Sequence, residues 1–348
     1  MTDSPIRLTQ FSHGGGCGCK IAPAVLSQLL ADVPPGILPA DLLVGVETAD
    51  DAAVYRLNDE QAVVVTTDFF TPIVDDPRDF GRIAATNALS DVYAMGGRPI
   101  FALAIVGMPL DKLPVDVIRA ILAGGQQVCH AAGIPLAGGH SIDVLEPIYG
   151  LVGVGLVHPA RVKRNGAARA GDVLILSKPL GIGILSAALK KGLLDADGYG
   201  RMLDWTTRLN TPGAALGGLD GVHAITDVTG FGLAGHLLEI CRGSHLAATV
   251  RFADLPLIDI ARQHVEAGIV TGASRRNLDS YGGALHLAAD APPWQAQMLS
   301  DPQTSGGLLV ACAADVAAEV LAVLHAAGFA PACVIGRLHD GEPALHVR

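Results

Sequence analysis

The segment His13-Gly14-Gly15-Gly16-Cys17-Gly18-Cys19-Lys20 concentrates residues that can do chemistry. Glycines let a backbone approach a ligand closely and adopt positive φ. A cysteine beside a cation is the setting that lowers a thiol's pKa and makes it a nucleophile. The segment therefore reads as a flexible loop carrying a reactive thiol, Cys17, and an ammonium, Lys20, able to meet phosphate. Zinc on Cys17 and Cys19 would call for a second ligand pair, which the sequence does not offer. A disulfide between them would be strained by their one-residue separation.

Single aspartates recur at element ends and in small-residue turns. Asp50 and Asp51 fall between two expected strands, and Asp68 ends the run Thr66-Thr67-Asp68. Asn87 and Asp91 lie four apart on one face of an expected helix. Asp227 opens Asp227-Val228-Thr229-Gly230-Phe231-Gly232, between a strand and a helix. Magnesium takes a few carboxylates together with water and substrate phosphates, and separated aspartates at element ends suit it. Each could also be an ordinary N-cap or Asx-turn residue.

Gly138-Gly139-His140-Ser141 reads as a glycine turn at a strand end that could expose amides to an anion, or as a plain turn with a surface histidine. Asp301-Pro302-Gln303-Thr304-Ser305-Gly306-Gly307 is a polar turn before a buried strand, open to the same two readings. Gly181-Ile182-Gly183 lacks the third glycine of a dinucleotide fingerprint, and no phosphate-binding Gly-x-x-x-x-Gly-Lys-Ser/Thr loop surrounds Lys20.

The elements that must position these residues follow from periodicity. Short β-branched runs at 42–46, 52–57 and 62–67 read as strands. Residues 80–95 and 115–132 have helical spacing and stop at glycines, and 100–106 and 148–157 read as strands. A short helix is expected at 23–30. This order implies an α/β (α+β) domain with a mixed sheet, ending near residue 158. The basic stretch 159–170 is the expected boundary. Beyond it come strands at 173–176, 223–226, 247–252, 308–311 and 332–335, with helices at 233–241 and 316–327. The expected organisation is an N-terminal segment over 1–47, a first domain over 48–158 and a second over 170–348.

Bulk composition narrows the class. The chain has 348 residues, half of them hydrophobic and 17% charged, enough for two cored domains. A net charge of −10 and only 4% aromatic residues argue against nucleic acid as a partner. The polar start 1–10 and the absence of a long apolar run lead us to expect no leader, no membrane span and a cytoplasmic protein with reduced thiols.

These motifs together resemble the selenophosphate synthetases (selenide, water dikinases), of the aminoimidazole ribonucleotide synthetase-like superfamily. The resemblance runs nearly end to end. It covers 7–20, 48–55, 66–70, 81–95, 136–143, 178–183, 226–232 and 301–307, and the Gly-Cys-Gly-Cys-Lys loop is its most specific part. It implies two α/β domains with mixed sheets, the N-terminal halves pairing in a homodimer. It implies a reaction in which ATP, hydrogen selenide (free or from a selenium-delivery protein) and water give selenophosphate, AMP and orthophosphate. Carried over by position, Cys17 and Lys20 are catalytic and Lys20 also contacts ATP phosphates. Asp51, Asp91 and Asp227 hold Mg2+. Thr48, Ala49, Asp50, Asp68 and Asp91 line the ATP site, and Gly139, His140 and Ser141 reach the nucleotide from the second subunit. Competing readings are another ATP enzyme of the superfamily, such as a thiamine phosphate kinase or a carbamoyl-related maturation protein, a thiol-redox protein, and a non-enzymatic binding module. The thiol–lysine loop argues against the first and, with the acidic residues, against the last; titrating thiols before and after mild oxidation discriminates the redox reading.

Overall fold

The computed structural model describes residues 6–21, 25, 28–29, 36–45 and 50–348. Most of the expected helix at 23–30 lies outside them, as do the ATP-site candidates Thr48 and Ala49. Two sheets organise the chain. The first has six strands: β1 (Leu42–Val44), β2 (Ala53–Arg56), β3 (Ala62–Phe70), β4 (Arg98–Met108), β5 (Leu136–Asp143) and β6 (Ile148–Val157). Their order is β1-β2-β3-β6-β4-β5. Only β4 and β5 run parallel. That pair is joined by a helical crossover, α2 (Val115–Ala131), as a parallel connection requires.

Between β3 and β4 lies α1 (Pro77–Ala94). It starts where the Asp76 carboxylate accepts the Asp79 N–H at 2.9 Å and Pro77 pre-sets φ, and it stops before Gly96 at φ 75°. Nearly every residue from Phe80 to Ala94 is buried, because α1 packs on β3 and β6, on α2 and on the second domain. Strand β3 alternates in burial: Thr66, Asp68 and Phe70 face this interior, while Val65, Thr67 and Phe69 face out. The outer face of the sheet, including Tyr55, Val65 and Phe69, is uncovered in the single chain.

The second sheet has seven strands: β7 (Val173–Leu176), β8 (Val222–Asp227), β9 (Leu246–Val250), β10 (Leu285–Leu287), β11 (Leu308–Cys312), β12 (Cys333–Asp340) and β13 (Leu345–Val347). The order is β10-β13-β9-β12-β7-β11-β8. Helices α3 (Ile182–Lys190), α4 (Ala196–Thr206), α5 (Pro212–Leu216) and α6 (Gly232–Ser244) precede β9. Between β9 and β11 lie three short helices, α7 (Asp259–Glu266), α8 (Gly272–Tyr281) and α9 (Pro293–Leu299), and the edge strand β10. Helix α10 (Ala317–Ala326) follows β11. Among the described residues, no helix is long and apolar enough to cross a membrane.

One expectation changes. Gly138 to Ser141 is no turn: it forms the middle of the exposed edge strand β5. A Cβ at Gly139 would come within 2.1 Å of the Ala104 carbonyl, and φ there is 150°, so glycine permits the irregular pairing of β5 with β4. Gly181-Ile182-Gly183 opens α3, but its amides are already taken. The Gln303 Oε1 accepts the N–H groups of Gly181 and Ile182 at 2.9 and 3.1 Å, and the Asp301 carboxylate accepts that of Ile184 at 3.2 Å. The turn 301–307 thus supplies an internal cap to α3, and nothing is left there for a nucleotide phosphate.

Candidate active site at the junction of the two domains

Three elements converge on one point. Asp51 lies just before β2, Asp91 in the last turn of α1, and Asp227 at the end of β8 in the second sheet. One carboxylate oxygen from each lies within 4.8 Å of the others. Hydroxyls hold all three: Thr66 donates to Asp91, Thr226 donates to Asp51 at 2.9 Å, and Ser90 is hydrogen-bonded to Asp227. The second oxygens of Asp51 and Asp227 are buried without a hydrogen-bond partner. Burial, and then mutual repulsion, pushes Asp51 and Asp91 well above the usual carboxylate range. Asp227 is raised as well, chiefly by burial. Three crowded carboxylates with spare hard oxygens fit a divalent cation, which would relieve the desolvation and the repulsion together.

The glycine loop packs against this cluster as a short 3-10 turn, Gly16–Cys19. Gly16, at φ 56°, leaves no space for a side chain: a Cβ would meet Thr304 Oγ1 at 2.2 Å and Ile73 Cγ2 at 2.3 Å. Its N–H donates to the Thr71 carbonyl at 2.8 Å, and the Cys17 N–H donates to Thr304 Oγ1 at 3.0 Å. Cys17 is buried, and its thiol donates to the Asn87 side-chain oxygen at 3.2 Å. That oxygen also accepts the Ser305 N–H at 2.7 Å, while the Asn87 amide donates to Asp68 at 2.8 Å. Lys20 reaches the same Asp68 oxygen at 3.1 Å.

This geometry reverses the expected electrostatics of the thiol. Burial pushes the Cys17 thiol well above its ordinary range, and Asp68 pushes the same way; the pull of Lys20 does not offset them. Sequence adjacency suggested a thiol–ammonium pair, but Lys20 spends its charge on Asp68. Burial opposes that charge, yet Asp68, Cys17 and Asp91 hold Lys20 well above its usual range. With the loop in this position, Cys17 is a protected thiol. All six cysteines are free, Cys17 and Cys19 included.

The remaining site candidates fall elsewhere. Asp50 points to the connector between domains and accepts the Asn165 N–H at 2.6 Å. Gly139, His140 and Ser141 lie on the exposed edge strand and are not bonded to the aspartate cluster. Asn87, Thr304 and Ser305 bear directly on the thiol. The sequence signalled Asn87 only through its helical spacing from Asp91, and it signalled the other two only as a polar turn.

The chain matches the AIR synthase related protein family, its N-terminal domain model over residues 49–157 and its C-terminal domain model over 169–348. It is 64% identical to the selenide, water dikinase of Paraburkholderia xenovorans (strain LB400) over 353 residues, covering 100% of both chains. It is 60% identical to that of Dechloromonas aromatica (strain RCB), again over 100% of both. Identity to that of Rhizobium meliloti (strain 1021) is 55%, over 98% of both. Among solved structures, a HypE–HypF complex aligns with TM-score 0.69 at 17% identity, covering 93% of this chain and 96% of that one. AaThiL complexed with AMPPCP and TMP aligns with TM-score 0.66 at 17% identity, covering 94% and 93%. At such identities these two speak for the fold alone.

Proposed function

Because the chain belongs to the selenide, water dikinases of the AIR synthase related family, we propose that its glycine loop handles selenium while its aspartates hold magnesium and ATP. The protein is an ATP-dependent enzyme that makes selenophosphate from selenide and water. AMP and orthophosphate are the accompanying products that the family's reaction implies.

In this reading Asp51, Asp91 and Asp227 hold the magnesium, which neutralises charge on the ATP phosphates. Lys20 leaves Asp68 for a phosphate when ATP is bound, since both are anionic partners for one ammonium. Asp68 and Asp50 belong to the nucleotide's surroundings. Cys17 receives the selenide, and Asn87 keeps its thiol oriented and protonated until then. Closure of the loop excludes water from the activated phosphate until hydrolysis is due.

Two copies complete the site. The uncovered outer face of the first sheet, with Tyr55 and Phe69, suits pairing of N-terminal domains, and the exposed strand β5 would bring Gly139, His140 and Ser141 of a second copy to the nucleotide. The reduced thiols suit the cytoplasm.

One observation supports the assignment of residues: the Cys17–Lys20 loop bonds to Asn87 and Asp68, on the same α1 and β3 that carry Asp91 and its partner Thr66. Phosphorus NMR of the protein with ATP, magnesium and selenide tests the reaction. AMP, orthophosphate and a selenium-coupled phosphorus signal are expected, and ADP as the sole product would overturn the reading.

A further inference from the structure

The outer side of the glycine loop, facing away from the aspartates, borders a cavity of about 260 Å³ between the loop and helices α3 and α8. Its walls near the loop are bare backbone: Gly14, Gly15 and Gly18 face it directly. Its charged walls are Lys190, Lys191 and Arg276, with His13 also lining it. His13 is paired with Glu146 at 2.8 Å. The other three form no ion pair at contact distance among the described residues, although the charge of Lys190 also acts on Glu146. Lys190 and Arg276 instead donate to loop carbonyls, those of Ser12 at 2.9 Å and Gly18 at 2.8 Å. Lys191 has no side-chain hydrogen bond among the described residues.

In a chain with 34 acidic and 24 basic residues, three cations outside any ion pair around one cavity, facing the single carboxylate of Glu146, are an unusual concentration of positive potential. Hydrogen selenide is much more acidic than a thiol, so near neutral pH it travels as the hydroselenide anion. The aspartate side of the loop repels such an anion. We propose that this cavity is the vestibule through which hydroselenide reaches the Cys17 loop, with Lys191 attracting it and Lys190 and Arg276 coupling its arrival to release of the loop. This rests on the selenide reading given above. An anion in the vestibule competes with the Ser12 and Gly18 carbonyls for the same N–H donors. Binding it therefore frees the loop on both sides of Cys17, whose neighbour Gly18 lines the cavity.

Steady-state kinetics of selenophosphate formation, with selenide and ATP varied separately, test the proposal. Lys191→Glu is expected to raise KM for selenide about tenfold, with kcat and KM for ATP within twofold. Lys191→Arg should restore the wild-type value. Ala187→Leu, which fills the cavity from α3, should raise the same KM selectively. In the wild type, kcat/KM for selenide should fall with ionic strength, and more steeply than in Lys191→Glu. An unchanged KM for selenide in Lys191→Glu would overturn the vestibule, as would equal shifts in both KM values. A wild type that makes no selenophosphate would overturn the functional reading itself, a different result. Lys191 is exposed, so its variants test recognition without disturbing the core.

Discussion

The thiol of Cys17 donates to the side-chain oxygen of Asn87 across 3.2 Å, and the same oxygen accepts the Ser305 N–H at 2.7 Å. One amide thereby ties the N-terminal loop, helix α1 and the turn before β11 together, and it makes the protonated thiol the form that fits. The loop can be opened or the thiol ionised in place, and the second route is costly inside a buried, acidic surrounding.

Alkylation of Cys17 by iodoacetamide should therefore be slow at pH 8 relative to an ordinary exposed thiol, and it should accelerate in Arg276→Gln, which releases the Gly18 carbonyl. Mass spectrometry of the labelled peptide reads both rates. Equal rates in wild type and variant would mean that the loop is open at rest. The pH sign follows from the raised thiol pKa. The folded protein holds this proton where the unfolded chain has lost it, so closed-loop stability falls as pH rises above about 9.

Replacing Cys17 by serine should abolish selenophosphate formation while leaving magnesium–ATP binding intact. Serine can still donate to Asn87, so the loop should close as before. Calorimetric titration with ATP and product detection by phosphorus NMR separate the two effects. Normal turnover would remove Cys17 from the chemistry.

Asp227→Asn should raise the melting temperature of the metal-free protein while eliminating the response to magnesium and the activity. The variant removes one of three charges that burial and repulsion oppose, worth about 1–2 kcal/mol. For the wild type the carboxyl pKa values are raised, so the folded state holds extra protons. Metal-free stability is then greatest at low pH within that window and is lost as these groups ionise with rising pH. Magnesium requires the ionised carboxylates, so its stabilising effect should be larger at pH 8 than at pH 6. Differential scanning fluorimetry with and without magnesium checks both statements.

Gly16→Ala should abolish activity with little change in global stability. The new methyl group would collide with Thr304 and Ile73 at a residue already in the left-handed region. The penalty, on the order of 1–3 kcal/mol, falls on the closed loop rather than on the core. Faster proteolysis confined to the first twenty residues or so, at an unchanged melting temperature, is the expected pattern.

Under the pairing of N-terminal domains proposed above, Phe69→Asp should yield monomers by sedimentation velocity, because Phe69 sits on the outer face of β3, the same face as Val65. A stable pairing of two such faces buries roughly 1,200–2,000 Å² in total, and a charge at its centre would not be tolerated. An unshifted dimer would place the contact on another surface.

Much of this arrangement is legible in the sequence. Asp51, Asp91 and Asp227 stand at element ends, where local pattern assigns both the element and the residue's place on it. Helix α1 declares itself by period and by its stop at Gly96-Gly97. What the pattern hides depends on long-range pairing. Lys20 is only three residues from Cys17 along the chain, yet its ion-pair partner is Asp68 on β3. Gln303 looks like part of a ligand-binding turn, but it caps α3 across 121 residues of separation. Gly138 and Gly139 read as a turn because positive φ is commoner in turns than in the irregular edge strand they form. Lys190 and Arg276 look like ordinary surface cations until the fold sets them on the loop's outer side.

The bonds that hold Cys17 in place join residues far apart along the chain, 287 positions in the case of Thr304 and 218 between Asn87 and Ser305. Synthesis from the N-terminus releases the reactive thiol among the first residues and its shelter among the last. Until Thr304 and Ser305 leave the ribosome, Cys17 has neither its backbone anchor nor the ordered Asn87 that accepts its S–H hydrogen bond. The nascent protein thus passes through an interval in which its most sensitive atom is exposed to oxidants and stray electrophiles, and that interval is as long as the translation of nearly the whole chain.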